Sequence, residues 1–413
     1  MNGSLKKQWI TAMATVFLVS CALFARAEEY WLKYRFTPNI EKEIVNLNGQ
    51  SIEMSKTQEA GAAPKEAVDP VMATVNFPGK GDENTFRIVF GKTKADAPLR
   101  DRLWISRDGN WAKAIVCGQT SRRQASLSGQ SVFGPVLLKL DHGDGPVDYH
   151  AMFYLREGRG DNVYAELKTA CYYEDRIELD GKTRRVALVD NNGNGRFDDV
   201  GPSLSQSDWL LIDLNDDGRL DSYGLLYKEV FTTGKYLSIG EKCYDLKVAV
   251  DGASFSLDAT KAPMGRIKTG HKQPFRLVLF GEGSRLSVKS TSGELTVPCG
   301  KYQFVSADFF ESEAEMGQSG MSLQGQASEK KDLPAILVVA DKPAELTFGP
   351  PLTAEVTESS GGGPEHTFNL SLTGRMGEAY RVSDRMGGGG GAKLKVQLEG
   401  SKEEAKTFSF VYG

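Results

Sequence analysis

The sequence predicts a mostly β fold: a multidomain chain of antiparallel β-sandwiches with β-flanked calcium loops and few helices. Three observations carry that prediction. Apolar residues come in short runs, often alternating with polar ones, as in VMATVNF, TFRIVFG and RLWIS, and such runs suit half-buried strands. Asp-Gly pairs and other Gly- or Pro-containing turn signals break the runs at short intervals. Helical periodicity is almost absent. With 413 residues, 40% of them hydrophobic, the chain can bury two or three cores, so disorder is not the default.

At the N-terminus, Lys6 and Lys7 precede a mostly apolar run from Trp9 to Val19, and Ala25-Arg26-Ala27 follows. That is the layout of a signal peptide over residues 1–27, with a small-x-small cleavage site. The run is short for a membrane span and nothing like it recurs, so no transmembrane span is expected in the mature chain. Leu18-Val19-Ser20-Cys21 resembles a bacterial lipobox, which implies lipid anchoring at Cys21 as the alternative. Apolar residues from Ala22 to Phe24 and from Tyr30 to Leu32 stand where a lipoprotein has a polar tether, so soluble export to the periplasm, cell surface or extracellular space is the first expectation. Losing residues 1–27 removes three positive charges and no acids, which takes the formal charge from -4 to -7. An acidic chain without a basic cluster is a poor nucleic-acid binder.

Three regions follow. Residues 28–180 form an N-terminal β-rich domain: charges and scattered apolar positions to about 60, a loop from Ala60 to Pro70, then strands, including Phe133–Leu140 and Tyr149–Leu155. Residues 181–259 form a β segment. RIEL-DG-KTRRVALVD reads as a hairpin whose Asp180-Gly181 turn suits type I′ geometry, and KYLSI-GE-KCYDLKVAV-DG-ASFSL reads as three further strands. From 260 to 413 lies a C-terminal β-sandwich region, with strand candidates FRLVLF, ELTV, KYQFVSADFF, AILVVA, AELTF, LTAEVT, TFNLSL, KLKVQL and TFSFVYG. Glu311–Lys331 is polar and Gly/Ser-rich and reads as a long loop. Gly361–Gly363 and Gly387–Gly391 read as hairpin loops, since a phosphate-binding loop would need Lys-Ser/Thr and a helix behind it. LTVPCGKYQF resembles the P-x-G-x-Y turn and strand of transthyretin-like, carboxypeptidase-regulatory-like sandwiches over about ten residues.

The most specific signal is a repeat. DNNGNGRFDD, starting at Asp190, and DLNDDGRLDS, starting at Asp213, follow one template 23 positions apart. A calcium ion takes six to eight oxygens at about 2.3–2.6 Å, and a short loop supplies them from alternate side chains. In the first copy these are Asp190, Asn192, Asn194 and Asp198, with the main-chain carbonyl of Arg196. In the second they are Asp213, Asn215, Asp217 and Asp221, with the carbonyl of Arg219. Gly195 and Gly218 hold the sixth position, where the loop reverses. Phe197 and Leu220 follow at the eighth, where an apolar side chain pins the loop to a core. The same Asp, Asn and Gly residues also build ordinary Asx-turns between strands.

Both loops resemble the calcium loop of EF-hands and the shortened loops of dockerins and other secreted calcium repeats, which implies Ca2+ as the bound ion. Two departures matter. Position twelve, where an EF-hand places a bidentate glutamate, is Gly201 in one copy and Gly224 in the other, so affinity should be lower unless Asp199, Asp208, Glu229 or water substitutes. The flanks, RRVALV and WLLI, read as strands rather than helices, and Pro202 discourages a helix after the first loop. Calcium loops on a β framework are therefore expected.

Other chemistry is sparse. Cys117, Cys171, Cys243 and Cys299 allow two disulfides in three connectivities, or isolated buried thiols. No CxxC, HExxH or GxSxG pattern occurs. The one local histidine cluster, DHGDGPVDYH, holds Asp141, His142, Asp144, Asp148 and His150; a transition-metal site and a plain Gly/Pro turn both fit it. Tyr172, Tyr173 and Trp209 suit core packing or stacking on a sugar. The expectation is an exported, calcium-stabilised binding or scaffold protein of the cell envelope or extracellular space, without catalysis of its own, partnered by calcium and by a glycan or envelope protein. The rival is a secreted polysaccharide hydrolase or lyase carrying accessory β-sandwiches.

Overall fold

A computed structural model describes residues 28–38, 47–55, 63–79, 81–125, 128–158, 162–220, 229–310, 312, 322–326, 333–360, 366–383, 393–396 and 406–409. The signal segment with Cys21, the second-loop residue Asp221 with Gly224, and the runs Gly361–Gly363 and Gly387–Gly391 lie outside the described residues. Strand accounts for 58% and helix for 3%, so the chain is mostly β, with several antiparallel sheets.

The largest N-terminal sheet is close to a meander. Edge to edge it runs Gln50–Ile52, Val163–Thr169, Pro146–Glu157, Ser128–Asp141, Ile115–Ala125, Arg102–Ser106, Thr85–Lys92 and Val68–Asn76. A second, five-stranded sheet orders Val230–Thr232, Trp209–Ile212, Lys182–Val189, Cys171–Leu179 and Lys33–Phe36. A third carries Glu28–Trp31, Ser254–Ala259, Lys242–Val248 and Tyr236–Ile239. One hydrophobic cluster, from Leu32 to Leu257, joins all three, with Phe90, Phe133, Tyr149, Phe153, Leu188, Leu210 and Phe255 at its centre. Residues on both sides of position 180 contribute to it. Burying such aromatic and branched side chains is worth about 1.5–3 kcal/mol each.

The C-terminal region has its own core, around Phe275, Leu277, Tyr302, Phe309 and Phe348. A large sheet orders Ser284–Ser290, Phe275–Gly281, Gly300–Phe309, Ser322–Gln326, Ala379–Ser383, His366–Thr373 and Thr353–Ser360, with Ile336–Val338 also on Gly300–Phe309. A small sheet of Glu294–Pro298, Met264–Lys268 and Ala344–Glu345 contributes Ile267, Leu295 and Val297 to the same core. Its last pairing is parallel.

The turn chemistry read from the sequence is present at Asp180-Gly181, where φ is 54° and 72° between the paired Leu179 and Lys182. Two left-handed residues in succession make a type I′ turn that matches strand twist. Elsewhere the structure adds strands. Ser322–Gln326 lies inside the segment expected to be loop, because its main chain pairs with Ser306–Phe309 on one side and Ala379–Ser383 on the other. Backbone pairing needs no apolar side chain, so the polar sequence hid it. Conversely, AELTF gives a strand over only Ala344–Glu345.

Candidate metal centre

The two Asx-rich loops sit at opposite ends of one strand. Lys182–Val189 delivers Asp190 into the first loop. The chain returns as Trp209–Ile212, antiparallel with Val189 opposite Trp209 and Val186 opposite Ile212, and ends at Asp213, the start of the second. All four side chains of Trp209–Ile212 are buried. The strand is thus bounded by Asp208 on the first-loop side and Asp213 on the second.

In the first loop Asp190 is fully buried. Its Oδ1 accepts from the N–H of Gly193 at 2.7 Å and of Asn194 at 3.3 Å. Its Oδ2 accepts from the N–H of Gly195 at 2.7 Å and the Tyr149 hydroxyl at 2.8 Å. Asn192 Oδ1 takes the Asn194 N–H, and Asn194 Oδ1 takes the Arg196 N–H, which curls the loop with its alternate side chains on one side. The amide groups of Asn192 and Asn194 both donate to Asp199 Oδ2, at 3.2 and 2.5 Å. Asp198 turns away, its carboxylate gripped by the Arg196 guanidinium at 3.0 and 2.9 Å. The acid facing Asn192 and Asn194 is therefore the tenth residue of the loop rather than the ninth.

Asp208 locks the loop from behind. Its Oδ1 accepts from Asn191 N–H at 3.1 Å and its Oδ2 from Asp199 N–H at 2.8 Å. Burial pushes the Asp190 carboxyl up to about 7, against the lowering effect of the Tyr149, Gly195 and Gly193 donors. Burial, then the neighbouring Asp190 charge, pushes Asp208 well up. Both shifts express the cost of holding negative charge in a dry site, and a divalent cation would offset that cost.

The second loop repeats the turn in a more exposed setting. Asp213, 3% exposed, accepts the Gly218 N–H on Oδ2 at 2.9 Å, the counterpart of Gly195 on Asp190. Asn215 Oδ1 takes the Asp217 N–H, and Asp217 Oδ1 takes the Arg219 N–H. Asp213 Oδ1 is buried with no hydrogen-bond partner. At the start of the loop stands Glu229, 1% exposed, whose Oε1 accepts from the N–H of Leu214 at 2.8 Å and Asn215 at 3.1 Å. The guanidiniums that reach this loop go to main-chain oxygens of Asp213, Leu214 and Gly218 and to Glu174.

The donor set fits a hard cation. Each loop offers carboxylate, amide and main-chain carbonyl oxygens and no sulfur or imidazole. The second has a bare buried carboxylate oxygen, and the first has the fully buried carboxylate of Asp190. Among the described residues no three His, Cys, Asp or Glu side chains cluster as a metal-holding group; amide and carbonyl oxygens would make up the larger share. The anchoring residues are in place: Phe197 is buried and meets Tyr173 edge-on at 5.2 Å, and Leu220 packs with Trp209, Leu211 and Val230.

The histidine cluster does not gather. Asp141 Oδ1 caps Gly143 and Gly145, Asp148 pairs with Lys139, and His150 Nδ1 meets the Tyr34 hydroxyl at 2.8 Å under the stacked ring of Phe36. Tyr172, Tyr173 and Trp209 are buried, so they pack the core and face no sugar. The four described cysteines are free thiols, and burial pushes Cys171 and Cys243 up to about 11, which keeps them protonated at neutral pH. No helix among the described residues is long and apolar enough to cross a membrane. Comparison with known proteins matched no family model, no curated protein and no solved structure.

Proposed function

We propose that this chain is an exported, calcium-stabilised β-rich binding or scaffold protein of the cell envelope or extracellular space, without catalysis of its own. One observation carries the reading: two loops of matched sequence curl through the same side-chain-to-backbone bonds, with a buried first aspartate each, Asp190 and Asp213. Carboxylates packed this way repel one another, and calcium would hold them together and couple folding to the ion. Weak sites fill outside the cytoplasm, where calcium is abundant, which agrees with the signal-like first 27 residues. The residues that would hold the ions are Asp190, Asn192, Asn194 and the Arg196 carbonyl in the first loop. In the second they are Asp213, Asn215, Asp217 and the Arg219 carbonyl. The ion's chemistry would be structural, a set of oxygen bonds in place of internal hydrogen bonds.

Thermal melting of the mature chain in calcium and in chelator tests this. At a calcium level one hundred times the dissociation constant, each site adds about 2.7 kcal/mol, so the midpoint should rise by several degrees and D190A with D213A should abolish the rise. An unchanged midpoint overturns the calcium reading. Incubation with a glycan panel tests the rest: retention without turnover supports a binding module, and release of sugars overturns the absence of catalysis.

A further inference from the structure

We propose that Glu229 supplies the acid missing from the twelfth position of the second loop, so that this site is closed by the residue that leads into the next strand of the sheet. The inference rests on the calcium reading of the loops and adds a ligand that the loop template does not contain.

The fold brings Glu229 there by pairing. It immediately precedes the strand Val230–Thr232, and its carbonyl accepts the Ile212 N–H at 2.9 Å, one residue before the loop opens at Asp213. That places its side chain over the loop's entrance, where Oε1 takes the N–H groups of the second and third positions, Leu214 and Asn215. The independent sign of a ligand is Asp213. It is 3% exposed; one carboxylate oxygen is spent on Gly218, and the other is buried without a partner. Leaving a buried carboxylate oxygen bare costs more than a neutral group left bare. A cation coordinated by that oxygen and by Glu229 removes the cost. In an EF-hand loop the closing glutamate arrives along a helix; here a strand Trp209–Ile212 leads into the loop, and the acid arrives across the ladder. The exposed positions, Asn215 and Asp217, lie on the solvent side, so an ion entering from water would meet them first and the buried pair last.

Calcium titration of the full mature chain by calorimetry provides the test, with E229Q and D213N beside wild type. Gln keeps the oxygen that accepts from Leu214 and Asn215, so E229Q retains the cap, and melting in chelator checks that it folds like wild type. The expected result is two sites in wild type and at least about tenfold weaker binding at one of them in E229Q, with the other unchanged. D213N should weaken that same site, and the double variant should lose no more than that one site. Wild-type uptake of two ions with E229Q matching it overturns the inference and leaves the calcium reading standing, because Glu229 would then be a cap alone. No uptake by wild type overturns both. If E229Q melts lower in chelator, E229D replaces it: preserved charge with an altered reach should still weaken one site alone, and unaltered binding in E229D overturns the assignment.

Discussion

Gly195 and Gly218 hold the same place in the two loops, with φ of 82° and 80°, yet their surroundings differ. A Cβ on Gly195 would stand 2.4 Å from Leu140 Cδ1 and 2.9 Å from Phe77 Cδ1, whereas a Cβ on Gly218 meets nothing within 4 Å. G218A should therefore cost only the left-handed backbone penalty, about 1–2 kcal/mol. G195A carries the same penalty plus overpacking of a dense core, a further 1–3 kcal/mol or so. Urea denaturation of the two variants in chelator measures the gap, and equal losses would show that the first loop yields as freely as the second. The φ requirement at both positions was legible in the sequence from the template alone. The clash was not, because Leu140 and Phe77 belong to strands and turns more than fifty residues upstream of Gly195. Asp199 shows the same limit. Its neighbour Asp198 holds the template position, but Asp198 is taken by the Arg196 guanidinium at 3.0 and 2.9 Å, which approaches Asp199 Oδ1 only to 3.6 Å and leaves Asp199 Oδ2 to the asparagines.

At the scale of elements, the strand Trp209–Ile212 does two jobs. Its side chains alternate between two clusters: Trp209 and Leu211 pack with Val189, Leu220 and Val230, and Leu210 and Ile212 join the main core. Its ends hold Asp208, which locks the first loop, and Asp213, which opens the second. L211A removes a fully buried side chain and should cost about 2–5 kcal/mol, seen as a lower urea midpoint at unchanged slope. A loss under 1 kcal/mol or so would mean the surrounding cluster closes the cavity. The four apolar residues in a row predicted a strand, and the structure has it so, with all four side chains buried. The strand Ser322–Gln326 was illegible for the opposite reason: its place depends on partners at 306–309 and 379–383, and no local apolar pattern marks it. The short strand Gln50–Ile52 likewise owes its position to pairing with Ala165–Leu167.

Across the whole molecule, the first Asx-rich loop is anchored by Phe197 in the core that runs from Leu32 to Leu257 and the second by Leu220 in the cluster around Trp209 and Val230, while the C-terminal sandwich closes around Phe275, Phe309 and Phe348. The two regions touch near Thr232–Tyr236, where Thr232 Oγ1 donates to the Arg285 carbonyl and the Tyr236 N–H to Ser284 Oγ. Calcium should therefore slow hydrogen exchange in Lys182–Val189, Trp209–Ile212 and Val230–Thr232, and leave Phe275–Gly281 and Gly300–Phe309 at their chelator rates. Uniform slowing would make the chain one cooperative unit instead. The sequence by itself determined the β class, the hairpin at Asp180-Gly181 and the curled form of the two loops, because each depends on neighbours in the chain: alternation, left-handed turn residues and side-chain-to-backbone bonds spanning two to five positions. Only the tertiary structure decided which acids stand at those loops. Asp208 and Glu229 reach them through strand pairing, a relation between distant segments that no local pattern encodes.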